Sequence, residues 1–349
     1  MNILVTGGAG YLGSVLVPKL LVRGHRVCVL DVGYFGTGHM RSMRPAVELI
    51  REDIRRFCED PRTSGRVLDG IHCVIHLAAI SNDPSAELDP ALTDKVNFRA
   101  TQALADAAKA RGVRFIFSSS CSVYGETPDE IDEEGHVHPC TTYAHSKVDS
   151  DRYLNAIATS GWRPVVLRNG TLFGYSPRMR FDLVVNIFAF MSTFYNEVKV
   201  FGDGQQWRPF LHVSDCARAF IHFAEGREHE HVVYNIAHEN LRVRDLVGVF
   251  QDINPHLRPI FLDIVDNDVR NYHVSTTRMR KAGFQPRATV RDGAEEMVDA
   301  LASGLIADPE SIFYRNAKWM KELTQFGDIK HKEFVGLIET MANMLPSRH

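Results

Sequence analysis

Three glycines at fixed spacing near the start of the chain, Gly7-x-x-Gly10-x-x-Gly13 in "MNILVTGGAGYLGSVLVPKL", constrain the fold more than any other feature. Glycine is the costliest residue to order, so such a cluster needs a structural reason. The run Ile3-Leu4-Val5 before it reads as a short buried strand, and Leu12 to Leu21 after it carries helical apolar spacing. A loop joining strand to helix in this way offers a helix N-terminus to an anion. In that setting Gly7 permits a tight turn, Gly10 the close approach of a pyrophosphate, and Gly13 the packing of helix on sheet. A second strand, "HRVCVLD", ends in Asp31, 18 residues beyond Gly13. A carboxylate there accepts hydrogen bonds from an adenosine ribose and repels a 2′-phosphate, which favours NAD over NADP.

Further short apolar runs recur between helical segments: "VELI" at 47–50, "HCVIHLAA" at 72–79, "VRFIFSSS" at 113–120 and "RPVVLRNG" at 163–170. Strands alternating with helices predict an α/β fold, a Rossmann-type doubly wound parallel sheet with its ligands at the carboxyl ends of the strands. After about residue 170 the pattern loosens into loops such as "GYSPRMRFD" and "FGDGQQWRPF", with a helical stretch near 214–225. The expected division is a dinucleotide-binding domain over 1–170, to which 207–225 returns. A smaller interleaved substrate domain takes 171–206 and 226–349. The 349 residues, 44% apolar and 24% charged with net charge −3, fit such a globular protein and show no basic excess that would hold nucleic acid. No apolar run approaches the roughly 18 residues of a membrane span. The first strand begins at residue 2, leaving no room for a secretory signal, and cysteines 28, 58, 73, 121, 140 and 216 lack paired metal-ligand spacing. A cytoplasmic protein with reduced cysteines and no metal is expected.

The chemistry concentrates in "TTYAHSKVDSDRYL". Tyr143 and Lys147 are four apart, so on a helix they share a face. An ammonium beside a phenol stabilises the phenolate and lowers its pKa, giving an acid or base usable near neutral pH. Two solvated side chains on a surface helix would show the same spacing. Upstream, "FIFSSSCSVYGE" runs a strand into small hydroxyl residues, which places Ser120 at the same strand-end crevice.

With these stretches the chain resembles the extended short-chain dehydrogenases/reductases, in the branch of NAD-dependent nucleotide-sugar epimerases and dehydratases. The resemblance runs through "TGGAGYLG", Asp31, "EDIRR", "HLAA", Asn97, "SSSCSVYG", "YAHSK", "LRNGTLFG", "VFGDGQQWRPFLHVSD" and "DVRNYHVS". It implies that Gly7, Gly10, Tyr11, Leu12 and Gly13 hold the pyrophosphate, that Asp31 holds the adenosine ribose, and that Asp53 and Ile54 flank the adenine. Leu77, Ala78 and Ala79 would line the nicotinamide side, and Lys147 would hold its ribose. Tyr143 would be the catalytic base with Ser120 as hydroxyl partner, and Asn97 would support the site. A nucleoside diphosphate sugar is the implied substrate. Arg208 stands at the family's diphosphate-binding arginine and Lys199-Val200-Phe201 at the segment covering the base, with Ser120, Ser122 and Thr171 as further substrate-binding residues. Arg178, Arg180 and Arg270 are further phosphate candidates, since guanidinium groups bind phosphate oxygens in pairs.

Departures from the pattern carry information too. Where family 4,6-dehydratases place Asp-Glu after the hydroxyl residue, this chain has Cys121-Ser122, which argues against dehydration. Thr171 replaces an asparagine and Pro209 an aspartate, and the "SPRMRFDLVVN" loop resembles a subset acting on less common sugars. The expected reaction is epimerisation at C4 through a transient 4-keto sugar. A nucleotide-sugar 4-dehydrogenase or ketoreductase would use the same residues, and a non-catalytic dinucleotide sensor would share the fold. Cys121 and His76 read as packing residues, His145 as pointing away from the Tyr143 face, and the acidic run 129–136 as a solvated loop. The helical stretches around 90–110 and 143–160 resemble the pair that forms a four-helix homodimer interface in this family.

Overall fold

The computed structural model describes residues 1–43, 45–226, 229–263 and 270–325. Strands β1 (Asn2–Thr6), β2 (Arg26–Leu30), β3 (Val47–Ile50), β4 (Cys73–His76), β5 (Arg114–Ser120) and β6 (Val165–Asn169) alternate with helices. They are followed by β7 (Thr171–Phe173), β8 (Glu197–Phe201), β9 (Trp207–His212), β10 (Val233–Ile236), β11 (Glu239–Arg242) and β12 (Arg258–Leu262). Seven of these form one parallel sheet in the order β10-β6-β5-β4-β1-β2-β3. β4 is buried at every position, the pattern of a strand covered by helices on both faces.

The order of this sheet reverses between β1 and β4, and ligands bind outside the carboxyl ends of strands at such a point. Two glycines make the crevice possible. Gly7 leaves β1 with φ +73°, and a Cβ on it would stand 2.6 Å from the Ala78 amide nitrogen beyond β4. A Cβ on Gly13 would meet the Gly8 carbonyl oxygen at 2.5 Å, so only glycine lets the helix Gly13–Val22 start against its own loop.

The second lobe carries a three-stranded sheet, β11-β9-β7, and a parallel pair, β12-β8. The helix Val213–Glu225 packs onto Gly13–Val22. One boundary needs correcting. Residues 226–349 were assigned wholly to the substrate lobe, but β10 pairs with β6 at the edge of the main sheet. Its four residues Val-Tyr-Asn-Ile were too short a run to stand out. The parts of that assignment on 227–228, 264–269 and 326–349 lie outside the described residues, as do Asp268 and Val269 of the "DVRNYHVS" segment. A single apolar core joins Ile3, Val5 and Leu16 of the first lobe to Phe173, Phe210, Phe250 and Met297 of the second.

Candidate active site

A cleft of about 1170 Å³ opens along the carboxyl ends of the main sheet. Gly7, Gly10, Tyr11, Leu12, Gly13, Asp31, Asp53, Ile54, Leu77, Ala78 and Ala79 line one stretch of it. Ser120, Tyr143, Thr171, Arg178, Arg180, Lys199, Val200, Phe201, Arg208 and Arg270 line the rest. Ser122 does not line the cleft. It is 2% exposed, because the turn Cys121–Tyr124 folds its side chain inward.

Asp31 is held by two backbone amides, Ala9 N–H to Oδ2 at 3.0 Å and Gly33 N–H to Oδ1 at 2.8 Å. Its carboxylate thus joins the glycine loop to the loop after β2. Burial raises its pKa, against the pull of both amides and of the Arg178 guanidinium. Asp53 caps the helix Ile54–Glu59 through Arg55 N–H and pairs with the Arg55 guanidinium at 2.6 Å, so its position is fixed by its own helix. Tyr11 is buried and donates to the Gly174 carbonyl at 2.6 Å, fastening the glycine loop to the second lobe.

Ser120 ends β5 and caps the turn that follows, its Oγ accepting from Ser122 N–H at 3.1 Å. Tyr143 sits in the first turn of the helix Thr142–Ala156, whose cap Thr141 accepts from Ala144 N–H and also donates to Asp83. Burial pushes the Tyr143 phenol up to about 12, and the Asp83 carboxylate adds to the rise. Arg180, a hydrogen bond with Ser120, and Arg270 pull it down. The expectation that Lys147 sets a low phenol pKa is therefore corrected: desolvation outweighs every nearby cation. Lys147 lies behind the cleft wall, 3% exposed, donating to the Ser118 carbonyl at 2.8 Å with its Nζ 4.7 Å from the Phe117 ring centroid. Burial lowers it to about 8, with Asp151 opposing. Behind it, Arg168 pairs with Asp151 at 2.9 Å and donates to the Tyr124 hydroxyl, which bonds Asn235. These bonds fix the turn that carries Ser120.

Several functional neighbours had no local signal in the sequence. Asn82 has φ +120°, unusual without glycine, and is held by its side chain, which donates to Asp182 at 2.5 Å and accepts from Ser85 N–H. Arg180 pairs with the same Asp182 at 2.8 Å, and Arg270 with Asp83 at 2.7 Å. The post-β4 loop is thereby clamped to the second lobe. Asn97 supports that loop through both the N–H and the carbonyl of Ile80, as expected of it. Cys121 and His76 are packing residues, at 1% and 0% exposure. His145 is exposed. The acidic run is not wholly solvated: the Glu133 side chain is 2% exposed, accepting from Asn235 N–H and facing Arg278 at 3.6 Å.

The family model for the NAD dependent epimerase/dehydratase family matches residues 3–237. The chain belongs to that family. A dTDP-glucose 4,6-dehydratase from Streptomyces niveus is 31% identical over 325 residues, covering 86% of this chain and 92% of that one. Among solved structures, the UDP-glucose 4-epimerase of Thermotoga maritima with UDP-glucose superposes with TM-score 0.77 at 28% identity, covering 87% of this chain and 100% of its own. A UDP-glucuronic acid 4-epimerase from Bacillus cereus, in complex with UDP-glucuronic acid and NAD, gives TM-score 0.74 at 25% identity over 87% of this chain and 99% of that one. The expected fold and family are thus met, and the cofactor of this NAD-dependent family is NAD. The cleft suits it: Gly10 lines it without a side chain, and Asp31 borders it beside the glycine loop whose Ala9 amide it accepts from. Among the described residues no group of His, Cys, Asp and Glu is arranged to hold a metal ion, and no helix is long and apolar enough to cross a membrane.

Proposed function

We propose that this member of the family is an NAD-dependent nucleotide-sugar epimerase that inverts C4. The observation that carries this reading is the pairing of Tyr143 with Ser120 in the cleft while no acid follows Ser120. Cys121 is buried, its thiol pKa is pushed up by burial, and it donates to the Arg168 carbonyl. Ser122 faces away from the cleft. Neither can protonate a leaving group, which supports epimerisation over dehydration.

In this reading NAD, when bound, supplies the hydride acceptor and donor for the sugar carbon. Tyr143, as the phenolate to which Ser120 donates, takes the C4 hydroxyl proton to become the phenol, and gives the proton back when the hydroxyl is restored. Lys147 would hold the nicotinamide ribose by turning its ammonium from the Ser118 carbonyl, behind the cleft wall, toward the cofactor. Arg208 and Arg270 bind the substrate diphosphate, and Lys199, Val200 and Phe201 cover its base from β8. Thr171 borders the sugar. We assign the dinucleotide to residues 1–170 with the returning segments, and the nucleotide sugar to the second lobe. A cytoplasmic location, supported by five free cysteines among the described residues, and a homodimer complete the proposal. Light scattering at micromolar concentration tests the dimer.

The deciding experiment incubates the protein with UDP-, GDP-, dTDP- and CDP-sugars and identifies products by NMR while recording NADH absorbance. A C4-inverted sugar without accumulated NADH is expected. A 4-keto-6-deoxy product would overturn the reading, and a released 4-keto sugar with stoichiometric NADH would make the protein a dehydrogenase.

A further inference from the structure

Arg178 is 3% exposed and lines the cleft, yet among the described residues no carboxylate lies within ion-pair distance of it. Two other buried arginines behave differently: Arg168 is paired with Asp151 and Arg180 with Asp182. A buried cation with no carboxylate at ion-pair distance is costly, and an anion that arrives beside it offsets that cost. Its guanidinium lies 3.8 Å from the centroid of the Phe35 ring, Nη2 donates to Asn316 Oδ1 at 2.6 Å, Nη1 makes only a 3.4 Å contact with the Met179 carbonyl, and Nε has no partner.

Its neighbours say which anion. The loop that carries Arg178 is fastened to the glycine loop twice, by Ser176 Oγ donating to the Tyr11 carbonyl at 2.7 Å and by Tyr11 Oη donating to the Gly174 carbonyl. The Arg178 charge reaches Asp31 and His39, and His39 in turn bonds Ser14 in the first turn of the helix Gly13–Val22. The cation therefore stands beside the helix N-terminus that already favours negative charge. We propose that Arg178 is a ligand of the cofactor's diphosphate, presented by the second lobe and held in place by Asn316. Asn316 opens the helix Asn316–Gln325, whose Trp319 donates to the Tyr34 carbonyl at 2.6 Å beside Phe35. Dinucleotide affinity then depends on a segment far from the glycine motif in sequence.

This inference rests on the NAD-dependent reading above. Calorimetric titration of the full chain with NAD, ADP-ribose, adenosine and UDP tests it. Arg178→Ala is expected to weaken NAD and ADP-ribose by roughly 10- to 100-fold while adenosine and UDP stay within about twofold. Asn316→Ala, which keeps the charge but removes its holder, should show a smaller loss for the same two ligands, and it serves if Arg178→Ala does not fold. Unchanged NAD affinity in the folded variant would overturn the inference, as would a loss confined to UDP, which would make Arg178 a substrate residue. Failure of the unmodified protein to bind NAD would instead overturn the functional reading.

Discussion

Arg270 Nη1 lies 2.7 Å from Asp83 Oδ2, and the two act on the Tyr143 phenol in opposite directions. Asp83 belongs to the loop after β4 and Arg270 to the second lobe, so the proton affinity of the phenol depends on how the lobes meet. An anion that drew Arg270 away would leave Asp83 uncompensated beside the phenol, and one that remained between them would share the cation.

Replacing Asp83 with Asn removes a charge that raises the Tyr143 pKa and keeps the Arg270 charge that lowers it. The phenol should titrate below the value of about 12 it has now, and the rising limb of the pH–rate profile should move to lower pH. NMR of protein labelled at the tyrosine ring carbon, read across alkaline pH, checks the first half. A profile unmoved by Asp83→Asn would show that the phenol does not control the rate.

Tyr143→Phe deletes one oxygen from a ring whose surroundings stay in place. Turnover should fall by roughly 10²- to 10⁴-fold while NAD and nucleotide-sugar affinity persist. Steady-state kinetics with parallel calorimetry would separate the two, and near-normal turnover would sink the assignment of the base.

Beyond the ribose contact expected of it, Asp31 organises the loop, since it accepts from Ala9 and Gly33. Asp31→Ala should therefore weaken NAD, by about tenfold or more, as well as relax the preference for NAD over NADP. Binding isotherms for both dinucleotides give the ratio. Tighter NADP than NAD in the unmodified protein would contradict the role given to this carboxylate.

Acid should destabilise the fold before its carboxylates titrate. Burial lowers His39 to about 4 and His76 to about 3, so between about pH 6.5 and those values the unfolded chain binds protons that the folded chain does not. Stability then falls as pH falls, by up to about 1.4 kcal/mol per pH unit for each histidine. His76 is sealed in. The Thr101 hydroxyl donates to the Asn97 carbonyl and so accepts from His76 Nε2–H, which leaves Nδ1 to accept from Thr6. His39→Gln should flatten the acid arm of urea-unfolding stability relative to the unmodified chain. An identical slope in the two proteins would mean His39 titrates normally.

Local spacing made part of this site readable. The glycine triplet, Asp31 at a strand end and Tyr143 four residues before Lys147 are each defined by a few consecutive positions on one element. Their chemistry was only partly readable, because the phenol pKa is set by burial and by Asp83, which lies 60 residues away in sequence. The hydrogen bond between Arg178 and Asn316 spans 138 residues, and no periodicity encodes it. Glu133 misled for a related reason: a carboxylate in an acidic run reads as solvated until Arg278 and the amide of Asn235 are folded against it. β10 escaped because four residues, although buried at the sheet edge, leave no pattern long enough to read.

The apolar core that unites Val5 and Leu16 with Phe210 and Met297 limits how an enzyme of this kind can change its substrate. Because the chain crosses between lobes more than once, no single cut yields a transplantable cassette, and a grafted second lobe would leave Leu16 and its neighbours facing foreign side chains. Diversification must then work by exchange at rim positions that pack against nothing else. Exposed Phe201, on the strand bordering the cleft, is the sort of position where such drift is tolerated, while Phe173 and Phe210 are locked by their partnership with the dinucleotide half.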